Sequence, residues 1–307
     1  MLKLELVEAV LARALKGGAD FAEVYAQRAK KRRMKVRQGA LEEALSGLDY
    51  GAGVRLFFGT EVVYAYTNDL TQEGLMEALE TLLRAKGALG KVDEGGKGGL
   101  DFRKATPKGL HAPKVPYGEK DKRYRLERLL EAEAGARIAP AIKQVEASLL
   151  EWEEEVLVAN TEGVFAEEKR VRTRLFVLAV AQDGAEVQTG YSAPGKSVGL
   201  ELFDLYPPKA VGEKAARQAL TNLKARPAPA GTFPVVVGPG FGGVLFHEAV
   251  GHLLETTSVA RKASVLADKL GEVVASPAVT YIDDGTLPHA WGSTEMDDEG
   301  RPTERTV

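Results

Sequence analysis

The sequence predicts an α+β protein: an N-terminal antiparallel sheet flanked by helices, then a strand-rich middle region leading to a helix suited to hold a metal. Three observations point there. Helical apolar spacing brackets a set of short alternating segments near the N-terminus. A second set of alternating segments fills the middle of the chain. A glycine-rich turn then opens a segment that carries two of the four histidines.

Residues 2–16 have helical spacing, with Leu4, Val7, Leu11 and Leu15 on one stripe and Gly17-Gly18 as the stop. Strands are expected at 21–28, 31–38, 51–58 and 62–67, with Gly59-Thr60 turning between the last two. Asp69 or Thr71 caps a helix to about residue 86 that buries Leu75, Ala78, Leu79 and Leu82. Residues 87–120 are rich in Gly, Lys and Pro, lack a period and read as a connector. A charged helix follows over 121–136. Strands are then expected at 145–150, 155–159, 171–181 and 185–190, with Asp183-Gly184 as a hairpin turn. Pro207-Pro208 introduces a helix over 209–224. Residues 231–237 read as a short buried strand, and a helix carrying the histidines starts near Val244. A second helix is expected near 259–269 and a strand at 279–283.

A chain of 307 residues is long enough to bury a sizeable core. Its apolar fraction of 44% and charged fraction of 28% are those of a globular protein in water. A formal charge of −3 gives no basic excess for nucleic acid. No apolar run approaches the length of a membrane span. The N-terminus carries acids inside its apolar stretch and reads as an amphipathic helix, so it is not a signal peptide. There is no cysteine, hence no disulfide or thiolate ligand within the chain. The expected location is the cytoplasm.

The informative element is His247-Glu248-Ala249-Val250-Gly251-His252. Two neutral imidazoles and a carboxylate are the minimal kit of a zinc hydrolase: His247 and His252 as metal ligands, Glu248 as general base. The spacing is unusual. Histidines at i and i+4 lie about 40° apart around a helix, whereas i and i+5 lie about 140° apart. Two such side chains cannot share one ion on a regular helix. A bulge or break near Gly251 is therefore expected, with the glycine supplying backbone freedom. Glu255, His289 and the Asp283-Asp284 turn are candidates for a further ligand or a supporting carboxylate.

Other features have plainer readings. Gly238, Gly240 and Gly243 match G-x-G-x-x-G, which leaves a nucleotide-binding protein as an alternative. No parallel βαβ unit surrounds them, and a tight turn into the helix is the simpler reading. Lys30-Lys31-Arg32-Arg33 reads as a solvated strand edge or turn, and residues 151–155 as a solvated acidic strand end. Asp297-Asp298-Glu299-Gly300 reads as turn chemistry or as a supporting or ligand carboxylate near the metal.

The stretch HEAVGHLLE at 247–255 resembles the TldD branch of the TldD/PmbA metallopeptidases. So do DDGT at 283–286, Gly292-Ser293 and the run from Asp297 to Pro302. Upstream, GAGVRLFF at 51–58 and YAYTNDLTQEGL at 64–75 resemble the family's N-terminal domain. The resemblance implies an intracellular zinc peptidase acting on unfolded or short peptides. It also implies a homodimer, or a heterodimer with a TldE/PmbA-like subunit. It assigns His247 and His252 to zinc and Glu248 to catalysis. The family's third ligand is a cysteine in a downstream β-rich domain, and this chain has none. The expected organisation is an N-terminal α+β domain (1–87), a linker (88–120), a strand-rich middle domain (121–230) and the start of a catalytic domain (231–307). Residues 303–307 alternate like the opening of a strand, so the chain is expected to be incomplete. A non-catalytic subunit or fragment that supports a partner peptidase is the remaining alternative.

Overall fold

The computed structural model describes residues 1–87, 100–105, 108–240 and 242–307. Its architecture is α+β. Helix α1 (Leu4–Lys16) is followed by strands β1 (Phe21–Arg37), β2 (Ala40–Phe58) and β3 (Glu61–Thr67), then helix α2 (Gln72–Ala85). Strand β4 (Arg103–Ala105) and helix α3 (Lys122–Gly135) lead to β5 (Ile142–Asn160), β6 (Val164–Asp183), β7 (Glu186–Ser192) and β8 (Gly195–Lys196). Helices α4 (Leu202–Leu205), α5 (Pro208–Leu223), α6 (Gly242–Ala249) and α7 (Thr256–Ala260) follow, with β9 (Asp283–Asp284) and β10 (Arg305–Thr306) near the end.

One eight-stranded sheet organises the chain, in the order β3-β2-β1-β5-β6-β4, with β7 and β8 also paired to β6. Among the described residues only β4 runs parallel to its neighbour. The strands are longer than the sequence reading expected. Segments 21–28 and 31–38 are one strand, β2 begins at Ala40, and β5 runs unbroken to Asn160. The alternation fades mid-strand because polar residues there face polar residues on the neighbouring strand. Arg28, Lys30 and Arg32 lie in register with Glu155, Glu153 and Glu151. The basic run is thus in the interior of the sheet, not at an edge or turn, and the acidic run is its cross-strand partner, not a solvated end. Opposite charges placed this way favour the register. Glu151 is 1% exposed and pairs with Arg125 and Arg32.

The β1–β5 pairing joins segments on either side of residues 88–120 in a single sheet. Two apolar clusters form on it. Helices α1 and α2 lay Val7, Val10, Leu11, Leu75, Leu79 and Leu83 against Val24, Val54, Leu56 and Leu157. Helices α3 and α5 lay Leu129, Ala132, Val211, Ala215 and Ala219 against Val36, Val145, Leu149, Leu175 and Val177. Burial on this scale, at about 25 cal/mol per Å² of apolar surface, is what holds the helices down. Thr71 caps α2 through the Gly74 amide, and Asp121 caps α3 through the Tyr124 amide.

Contacts divide the chain into two compact units. The first comprises 1–225 with 285–304, the second 226–284 with 305–307. In the first unit, residues 285–304 pack on the sheet: Met296 joins Val156, Val158 and Ala166, and Trp291 lies under Arg174 at 4.1 Å. The sequence reading placed no core residue there.

The second unit is irregular, and several expectations fail in it. Residues 231–237 form no strand and are exposed, Val236 almost completely. The second helix is only Thr256–Ala260, and the strand expected at 279–283 reduces to Asp283–Asp284 paired with β10. Helices α6 and α7 bury no residue. Apolar sequence reads as core only where something packs against it.

Candidate metal centre

Helix α6 stops at Ala249, and a 3-10 turn begins at Gly251. The break falls at Val250, whose φ of −132° and ψ of −44° leave the helical region. Its amide still bonds to the Phe246 carbonyl at 2.9 Å, and its own carbonyl accepts from Leu253 N at 3.0 Å. One residue of chain is absorbed, and His252 turns back toward His247. The two ring centroids are 4.3 Å apart. The expected interruption is present, but Gly251 acts differently from the expectation. It has no positive φ. Its role is room: a β-carbon there would sit 3.1 Å from His247 Nδ1 and 3.0 Å from the Tyr281 hydroxyl. No motif singled out Tyr281, because its segment reads as ordinary apolar sequence.

Ligand atoms of His247, Glu248 and His252 lie within 4.8 Å of one another, the one such metal-type cluster among the described residues. Small side-chain rotations close that span to the separation of about 3.4 Å between two zinc ligands each at about 2.1 Å. The donors suit the ion, with two imidazole nitrogens and an adjacent carboxylate. Glu255 Oε1 lies 2.7 Å from His252 Nδ1. A proton on Nδ1 donated to Glu255 leaves Nε2 unprotonated, the tautomer a ligand needs. Glu248 Oε2 lies 3.6 Å from that Nε2. The hydrogen bond to Glu255 raises the His252 pKa above the ordinary histidine value, with the charges of Glu255 and Glu248 adding to it. All three residues of the cluster are exposed. Beside them a shallow groove of about 540 Å³ is lined by Val237, Pro239, Val244, Leu245 and Glu248.

The other candidates have their own contacts. His289 belongs to the first unit. Its amide donates to His111 Nδ1 at 3.1 Å, and its ring is 3.1 Å from the Ser197 carbonyl. Thus His111 pairs with His289, and His247 with His252. Asp284 faces Arg305 at 3.6 Å across β9–β10. Asp297 Oδ1 accepts from the amides of Glu299 and Arg301, both at 2.9 Å, which is turn chemistry. The glycine fingerprint has no strand leading into it, so it lacks the strand–turn–helix context of dinucleotide binding.

Two imidazoles and a carboxylate brought within one ion's reach are the ligand-and-base set of metal-dependent hydrolases. Comparison with known proteins agrees. Models of three domains of the PmbA/TldA metallopeptidases match this chain: domain 1 over residues 22–86, the central domain over 114–223 and the C-terminal domain over 230–307. The chain belongs to the PmbA/TldD family of metallopeptidases. A metalloprotease TldD homolog of Haemophilus influenzae is 33% identical over 298 residues, covering 94% of this chain and 60% of that protein. A metalloprotease of Methanothermobacter thermautotrophicus is 30% identical over 289 residues, covering 94% of this chain and 62% of its own length. The chain therefore spans about three fifths of these curated relatives. The crystal structure of TldE from Thermococcus kodakarensis superposes with a TM-score of 0.75 at 19% identity, over 98% of this chain and 67% of that one. At that identity the likeness is one of fold. No helix among the described residues is long and apolar enough to cross a membrane.

Proposed function

We infer that this chain carries the metal-binding part of a zinc-dependent peptidase acting on unfolded or short peptides. The observation that supports it best is the break at Val250, which brings two histidines at i and i+5 within reach of one ion. His247 and His252 would hold the zinc. Bound there, zinc would supply Lewis acidity, acidifying water and polarising a peptide carbonyl. Glu248 accepts the proton of the attacking water and returns it to the leaving amine. Glu255 holds the His252 ring in its ligand tautomer. The groove bounded by Val237 and Leu245 would receive an apolar substrate side chain next to Glu248. The trio supplies two ligands and is exposed, so the third ligand and the wall that excludes water come from residues outside it. The reading extends to a cytoplasmic location and to a second subunit, either a copy or a TldE/PmbA-like chain.

Zinc titration of the chain tests it. One equivalent is expected, lost in His252→Ala and retained in Glu248→Gln. Where peptide cleavage is measurable, Glu248→Gln abolishes it with zinc still bound. Zinc affinity unchanged by His252→Ala would overturn the assignment.

A further inference from the structure

Strand β2 outruns its outer neighbour. It pairs with β1 along its length, whereas β3 covers only Ala52–Phe58. Among the described residues nothing pairs with the outer edge of residues 43–51, which are exposed or half-buried. This stretch carries neither proline nor lysine. Unpaired backbone N–H and C=O groups along such an edge are a template for another strand. Where β3 turns away, at Thr67-Asn68, a cleft of about 600 Å³ opens beside that edge. Its floor is glycine: a β-carbon at Gly53 would fall 2.6 Å from the Tyr64 ring. Tyr64 and Tyr66 stack at 6.4 Å between centroids and are 60% and 80% exposed. Tyr25 completes the aromatic lining, and Asp49 adds a carboxylate on the same face that makes no ion pair among the described residues.

We propose that this cleft and the adjoining edge of β2 bind an extended peptide segment bearing an arginine or lysine. The peptide backbone adds as a strand in the lane that β3 vacates. Its cationic side chain enters among the tyrosine faces, which attract a cation, and meets Asp49. Charge selects the occupant: aromatic faces with one unpaired acid favour a cationic side chain over a neutral or acidic one. The site shares no residue with the histidine cluster, so it stands whether or not zinc binds there.

The test is fluorescence anisotropy of the full chain with a labelled, β-prone Thr/Val peptide holding one central arginine, beside its glutamate counterpart. The arginine peptide binds about tenfold more tightly, within the range of a cation–π contact plus an acid. Tyr66→Ala and Asp49→Asn each weaken it about two- to fivefold. Tyr191→Ala, an exposed tyrosine on β7, has no effect. Both test positions are exposed, and a thermal melt confirms each variant folds. Equal binding of the two peptides would overturn the proposal, as would binding indifferent to Tyr66→Ala. So would sedimentation showing a dimer that Tyr66→Ala dissociates, since the occupant would then be a second copy.

Discussion

Replacing Gly251 with alanine separates metal geometry from fold. The added methyl would lie 3.1 Å from His247 Nδ1 and 3.0 Å from the Tyr281 hydroxyl, where ordinary contact begins near 3.4 Å. Both close neighbours are side-chain atoms, and the His247 ring is one of the two that must give way. A side chain pushed off its rotamer costs about 0.5–1.5 kcal/mol. With about 1.4 kcal/mol per factor of ten, zinc affinity falls about two- to tenfold. The backbone does not object, because Gly251 lies outside the left-handed region. Alanine favours a helical turn over glycine by up to about 1 kcal/mol, so stability holds or rises. Competition against a chromophoric zinc chelator, beside a thermal melt, reads both quantities. Equal zinc affinity in the two proteins would refute the claim that Gly251 makes room for His247.

The buried charges of the sheet give a second expectation. Glu151→Ala leaves Arg125, 7% exposed, without its carboxylate, and a stranded buried charge costs about 3–5 kcal/mol. Denaturant unfolding shows this, and the double change Arg125→Met with Glu151→Leu recovers most of it; a loss under 1 kcal/mol (about one ordinary hydrogen bond) would contradict the burial argument. A third concerns pH. Burial lowers the pKa of His111, whose Nδ1 accepts the His289 amide while Nε2 has no partner. Below the unfolded value of about 6.5 the unfolded chain takes up a proton that the folded chain resists. Stability therefore falls as pH drops from about 6.5 toward the lowered folded pKa, by at most about 1.4 kcal/mol per pH unit. His111→Gln flattens that slope in urea titrations at pH 5–7, and an unchanged slope would exclude His111 as its source.

Much of this architecture is legible in the residues. Apolar spacing marks α1 and α2, Asp69 or Thr71 marks the start of α2, and Pro207-Pro208 introduces α5, because these depend on neighbours within a turn or two. The site trio is equally local, and five residues of spacing already require a broken helix. What was not legible depends on distant partners. The basic run at 30–33 looked like an edge until Glu151 and Glu153 stood opposite it. The valines at 235–237 look like core in any window, yet lie exposed. That the His289 amide would meet His111 shows in no local window.

By itself, the sequence determined helices α1, α2, α3 and α5, the turns at Gly59-Thr60 and Asp183-Gly184, and the need for a break if His247 and His252 are to meet. Only the tertiary structure decided that β1 pairs with β5 across the connector, that the break falls at Val250, that Gly251 supplies space and not a special φ, and that residues 43–51 of β2 have no outer partner among the described residues, beside Tyr25, Tyr64 and Tyr66. The physical reason is range. Backbone propensity and capping act within one turn of chain, whereas strand pairing and burial are settled by partners more than a hundred residues away.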